Sequence, residues 1–100
     1  MRIYSRRTLR EFWEDHADAE TPLSALCTDA ETAVWKSFSD IRSTYASASH
    51  LHNERVCFNI KGNTYRLIVA VDYVRAVVLI KWIGTHAEYS RIDADTVGGL

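Results

Sequence analysis

Only one proline and four glycines punctuate this 100-residue chain, and two of the glycines, Gly98 and Gly99, stand in its last few residues. So few breakers exclude collagen-like and low-complexity architectures and favour regular elements separated by short turns. Apolar runs are short as well: none approaches the roughly 20 residues that a membrane-spanning helix needs. The N-terminal stretch MRIYSRRTLREFWEDH has basic residues but no continuous apolar core behind them, which excludes a secretory signal. Cysteine is scarce. Cys27 and Cys57 fall on separate elements without metal-type spacing, so two reduced thiols in a cytoplasmic protein are expected rather than a disulfide. A glycine-rich phosphate loop, a Gly-x-Ser-x-Gly elbow and a Cys/His protease arrangement are all missing, which removes nucleotide hydrolases and most covalent catalysts.

The chain does have apolar residues in ordinary proportion, 47% against 25% charged, so a folded domain rather than a disordered segment is expected. The length suits one domain, residues 1–100, with a single modest core. A net charge of −1 argues against indiscriminate coating of nucleic acid, but the charge is unevenly spread. Between Glu54 and Arg91 the cations Arg55, Lys61, Arg66, Arg75, Lys81 and Arg91 face only Glu54, Asp72 and Glu88. The second half is therefore locally positive, as a site for an anionic ligand would be.

Periodicity predicts the elements. Residues 2–5 read as a short edge strand. Ser5 is placed to cap a helix from Arg6 to about His16, with Leu9, Phe12 and Trp13 on one stripe. A second helix is expected from Thr21-Pro22, with Leu23, Leu26, Cys27, Ala30 and Val34 on its apolar face. Together they form an antiparallel hairpin. Ser39-Asp40 suits a short turn holding Ile41, and Ser43 to Asn53 reads as loop. Strands follow at Arg55–Ile60, Thr64–Asp72 and Ala76–Ile83, the first two joined by a tight Lys61-Gly62-Asn63 turn, and the third reading as a central strand buried on both faces. Gly84 is expected to end the third strand, Thr85 to cap a short helix from His86 to about Ile92 with Glu88 completing a capping box, and residues 94–100 to form a loose tail. The fold class is α+β: a small, mainly antiparallel sheet with an N-terminal helical hairpin packed on one face.

Five residues of this sheet half are candidates for the chemistry. Arg66 stands mid-strand, opposite in facing to Tyr65, Leu67 and Val69. It lines either a groove for an anion or an exposed face bridged to Asp72 or Glu88. Lys61 at a hairpin tip and Lys81 at a strand end each have a simpler reading as solvated lysines. His86 and Tyr89 are three apart, hence on one side of a helical turn. A histidine can give or take a proton near neutrality, and a phenol beside it can orient, stack on a base or share that proton. The plainer alternative is a helix-terminal histidine and an aromatic staple; joint placement beside Arg66 favours the functional reading. His50-Leu51-His52 lacks a third ligand at zinc spacing, so no metal and no cofactor is assigned, although His52 can line the rim of the groove. Trp13, Trp35 and Trp82 are expected in the core.

At these residues the sequence resembles a known family. Val56-Cys57-Phe58-Asn59-Ile60-Lys61-Gly62-Asn63-Thr64-Tyr65-Arg66-Leu67, with Gly84-Thr85-His86-Ala87-Glu88-Tyr89, looks like the core of HigB-type toxins in the RelE-like superfamily of toxin–antitoxin mRNA endoribonucleases. The resemblance implies the RelE-like fold and a ribosome-dependent endoribonuclease. Such an enzyme cuts mRNA in the ribosomal A site without metal, by attack of the 2′-hydroxyl on the adjacent phosphate. It implies Arg66, His86, Tyr89 and Lys61 as catalytic residues, with Asn63 part of the motif and suited to shaping the turn; Lys81, Asn63 and His52 are expected as RNA contacts, although the segment holding His52 fits the family less closely. It also implies a cytoplasmic protein that forms a hetero-oligomer with a cognate HigA-type helix-turn-helix antitoxin. The rival is a non-catalytic RNA- or protein-binding module on the same fold. A DNA-binding repressor is disfavoured because no helix presents a basic recognition face.

Overall fold

The three apolar segments after Glu54 pair in sequence order, and that pairing decides where every later side chain stands. In the computed structural model, which describes residues 1–99, the elements are β1 (Arg2–Tyr4), α1 (Arg6–Asp15), a 3-10 turn (Ala17–Ala19), α2 (Glu20–Thr32), α3 (Phe38–Thr44), β2 (Ser49–Leu51), β3 (Arg55–Ile60), β4 (Tyr65–Asp72), β5 (Val77–Thr85) and α4 (His86–Tyr89). They form one five-stranded sheet in the order β1-β5-β4-β3-β2. Only β1 runs parallel to its neighbour, β5; the other pairs are antiparallel. This is the expected α+β architecture, with the helices before the meander and β1 at an edge.

Strand alternation sorts the side chains into two faces. Val56, Phe58 and Ile60 of β3 and Tyr65, Leu67, Val69 and Val71 of β4 join Leu9, Leu23, Leu26 and Ala30 of the helices in one core. Leu67 is sealed from solvent, and its truncation to alanine would cost roughly 2–5 kcal/mol. The opposite face carries Arg55, Cys57 and Asn59 from β3 and Arg66, Ile68 and Ala70 from β4. β4, with strands on both sides and five buried residues from its start, is the central strand, a place expected for β5.

A bulge re-aims β5. Val69 pairs with Ile80 and Ile68 with Trp82, so the register shifts there and Lys81 is the extra residue of β5. Lys81 and Trp82 are thereby brought to the face away from the helices, and the strand bends. For this reason Trp82 is not a core residue, unlike the buried Trp35. Gly84 does not end the strand; it sits inside β5 opposite Arg66. A Cβ there would meet the Trp82 ring at 2.4 Å, so glycine is what allows the indole to lie back over its own strand.

Other local expectations shift for identifiable reasons. Ser5 precedes α1 with φ 71°, and its side chain makes no capping bond; the Ser5 carbonyl accepts from Thr8 instead. α2 grows out of the 3-10 turn, so Thr21 lies within its first turn instead of capping it. Ala33 is extended and ends the helix, which leaves Val34 78% exposed while Trp35 turns into the core. The turn around Ile41 is a full short helix, and the polar stretch Ser49–Leu51 is an edge strand on β3. α4 is shorter than expected, but both halves of its capping box form, Glu88 N to Thr85 Oγ1 at 3.1 Å and Thr85 N to Glu88 Oε1 at 2.8 Å. Among the described residues no helix is long and apolar enough to cross a membrane. Leu100 lies outside the described residues.

Candidate functional site

The face of the sheet turned away from α1 and α2 is where polar chemistry collects. Arg66 is its centre, only 8% exposed. Its position follows from the hairpin: Lys61 and Gly62 take positive φ values of 51° and 62°, and the tight turn folds Asn63 back over the start of β4. One guanidinium nitrogen then donates to the Asn63 carbonyl at 3.1 Å and to the Tyr65 carbonyl at 3.3 Å, while the other donates to the Asn63 side-chain oxygen. All these acceptors are neutral. Among the described residues no carboxylate forms an ion pair with Arg66. A nearly buried cation held only by neutral oxygens retains an unspent charge, and an anion is its natural complement.

Tyr89 covers the guanidinium from the side of α4. The Arg66 guanidinium carbon lies 5.9 Å from the centre of the Tyr89 ring, within cation–π range. The Tyr89 hydroxyl and the Cys57 thiol, which stands on the same sheet face two residues from Asn59, are near enough to shift each other's pKa. Burial raises the Tyr89 pKa, the nearby Cys57 adds to that, and the Arg66 charge opposes both. Burial likewise raises the Cys57 pKa, with Tyr89 and Arg66 in opposition. Both groups therefore stay protonated at neutral pH. Trp82 closes the other side, its ring 6.3 Å from that of Tyr89.

His86 begins α4. Its backbone N–H is tied to the Thr64 carbonyl at 3.0 Å, which anchors the start of the helix to the β3–β4 turn. The residue is exposed, one helical turn before Tyr89 and on the same side of the helix. Fold and register thus bring Arg66, Asn63 and Tyr89 together at one end of the open face, with the backbone of His86 tied beside them through Thr64.

Other sequence candidates stand apart from this cluster. Lys61 lies at the hairpin but its ammonium pairs with Asp18 at 2.5 Å, on the side of the sheet that carries the helices. Asp18 also accepts from the Tyr65 hydroxyl, and these two bonds, Lys61 first, hold its pKa below the usual carboxylate value. Lys81 lines a cleft of about 250 Å³ with Asn53, Arg55, Ala70 and Asp95, further along the same open face. His52 is exposed at the rim of that cleft, its backbone N–H donating to Asp95 at 3.0 Å. His50 packs on Phe38, and His16 stacks on Phe12 at 4.1 Å, so both serve the fold. Among the described residues no group of three or more His, Cys, Asp or Glu is placed to hold a metal ion.

Cys57, Trp82 and Arg55 were not singled out by sequence reasoning. For Cys57 a signal existed, since it alternates onto the face of Arg66 once the β3–β4 register is drawn. Trp82 was hidden by the bulge, which no residue type announces. Arg55, 2% exposed, is engaged by backbone carbonyls, which carry no sequence signature.

Comparison with known proteins gives one family. The model of HigB_toxin, described as the RelE-like toxic component of a toxin–antitoxin system, matches residues 19–92. That span runs from the start of α2 through α4 and includes every residue of the cluster. No curated protein matches the chain.

Proposed function

Given that the chain belongs to the HigB toxin family of RelE-like toxic components, we propose that it is a ribosome-dependent endoribonuclease that cuts mRNA during translation. The observation that carries this reading is Arg66: a nearly buried guanidinium, fixed by Asn63, stacked on Tyr89, and paired with no carboxylate among the described residues. A single scissile phosphate is the anion it suits.

The reaction needs no group beyond side chains of this kind. The 2′-oxygen forms a bond to the adjacent phosphorus as its proton leaves to a base. The bond from phosphorus to the 5′-oxygen breaks as that oxygen takes up a proton, leaving a cyclic phosphate and a 5′-hydroxyl. Negative charge builds on the phosphoryl oxygens between these events, and a guanidinium already fixed in place stabilises it without reorganising. His86, exposed at the mouth of the site, moves the proton. A positioned acid–base group contributes on the order of a hundredfold or more. Tyr89 is the platform: its ring supports the guanidinium and offers a surface for an unstacked base. Lys61, paired with Asp18 on the helix side of the sheet, steadies the hairpin that carries Asn63. Asn63 sets Arg66, and Lys81 and His52 meet RNA beyond the scissile linkage.

A net charge of −1 gives little general affinity for RNA, so placement falls to the ribosome. The partner is a cognate antitoxin of the HigA helix-turn-helix type, forming a hetero-oligomer with the toxin in the cytoplasm. The test is expression without antitoxin: growth arrest relieved by a folded Arg66→Ala or His86→Ala variant supports catalysis. Arrest that persists with both variants, soluble and folded, points instead to a non-catalytic binding module.

A further inference from the structure

Arg55 is the most deeply buried charge on the open face, 2% exposed, and its use is unlike that of Arg66. Its guanidinium donates to backbone carbonyls of one segment: to Ala94 at 3.1 Å, Val97 at 2.6 Å and Gly99 at 2.5 Å. The segment was expected to be a loose tail from Ala94 onward; instead residues 93–99 lie against the sheet. Asp95 holds the β2–β3 turn through His52 N at 3.0 Å, and its carbonyl accepts from the Asn53 side chain at 2.9 Å. Gly98 sits so close to β5 that a Cβ would fall 2.2 Å from the Lys81 carbonyl oxygen.

Three properties of this segment suggest that it is a removable cover. It is acidic, with Asp93 and Asp95 and no cation, and it lies on a face that carries Arg55, Arg66 and Lys81. It contributes no buried residue, so few apolar contacts resist its opening. Among the described residues it supplies Arg55 with neutral oxygens, whereas a bond from a guanidinium to an ionised phosphate is roughly twice as strong as one between neutral groups. Arg55 pairs with Ala70, four residues along β4 from Arg66, which at about 3.3 Å per residue separates the two guanidinium positions by roughly 13 Å along the strand. A short single strand bound at Arg66 and running along the sheet would reach it.

Resting on the RNA-cleaving reading above, we propose that Arg55 is a second phosphate-binding site of the cleft, kept covered by the acidic segment Asp93–Gly99 until a bound strand displaces it. The cover keeps the protein from free RNA. A strand presented in the right place gains Arg55 once the segment lifts.

The experiment measures binding of the full chain to a labelled 2′-O-methyl oligoribonucleotide of about ten nucleotides, which lacks the attacking hydroxyl and cannot be cut by this chemistry. Gly98→Ala forces the segment off β5, both by the short contact and by its positive φ of 77°. It is expected to tighten binding three- to tenfold and to steepen the salt dependence by about 0.7 in log–log slope, the increment for one added phosphate contact on a single strand. Adding Arg55→Gln should cancel both gains. Asp95→Asn, which removes charge but keeps shape, should tighten binding about twofold, and it stands as the test if Gly98→Ala fails to fold. Wild-type binding that neither variant alters, or a gain that survives Arg55→Gln, overturns the inference alone. Absence of binding by every variant also overturns the inference, whereas the RNA-cleaving reading fails separately, if the wild type leaves translated mRNA intact.

Discussion

Asn63 and Arg66 hold each other across the end of a hairpin: both the backbone carbonyl and the side-chain oxygen of Asn63 accept from the guanidinium. The turn and the charge are thus one unit, and the conformation of a loop sets the position of the group assigned to the scissile phosphate. Asn63→Ala removes the side-chain acceptor from a charged donor. It should lower stability by about 1.5–3 kcal/mol in urea unfolding and cut RNA cleavage at least tenfold. Full activity in a folded Asn63→Ala variant would show that Arg66 needs no such fixing.

Tyr89 separates two roles of a phenol. Burial, with the neighbouring Cys57 adding to it, raises the pKa of its hydroxyl, so its ring rather than its proton is assigned the work. Tyr89→Phe should keep activity within about tenfold, and Tyr89→Ala should lose about a hundredfold or more, the scale of a positioned catalytic group. Equal loss in both variants would move the proton chemistry to Tyr89.

Gly84→Ala places a methyl 2.4 Å from the Trp82 ring and 3.0 Å from a Glu88 carboxyl oxygen. The indole must shift against Tyr89, and such overpacking costs about 1–3 kcal/mol. A lower thermal midpoint with weaker cleavage is expected. An unchanged midpoint would mean that the indole moves without resistance.

Stability should depend on pH at both extremes. The pKa values of Cys57, Tyr65 and Tyr89 are raised above their ordinary values of 9.0, 10.0 and 10.0, by burial for Cys57 and Tyr89 and by the Asp18 bond for Tyr65. The folded state therefore holds those protons more tightly, and stability present below about pH 9 is lost as pH rises through the shifted values. Asp18, lowered from 3.8 by Lys61 and then Tyr65, contributes the other limb, present above that value and lost as pH falls. Denaturant unfolding across pH should show both limbs, and Asp18→Asn should remove part of the acid one.

Much of this was legible in the chain itself. The alternation of Val56, Phe58 and Ile60 and of Tyr65, Leu67 and Val69 gives two strands and puts Arg66 on the opposite face before any coordinate is known. Thr85 and Glu88 announce the start of α4. What stayed hidden depends on long-range partners. β2 is three residues of Ser-His-Leu, too short and polar for its pattern to stand out from a loop. The bulge at Lys81 turns Trp82 out of the core through register, not composition. Lys61 finds Asp18 across 43 residues, and Arg55 finds carbonyls 39 to 44 residues away, neither of which local periodicity encodes.

The most direct measurement is the chemistry of the RNA ends made in a translating extract by the wild-type protein, Arg66→Ala and His86→Ala. The account predicts cuts within translated mRNA that leave cyclic phosphate and 5′-hydroxyl ends, and losses of about a hundredfold or more in each folded variant. Intact mRNA with the wild type, or the same ends at undiminished yield from both variants, would contradict it.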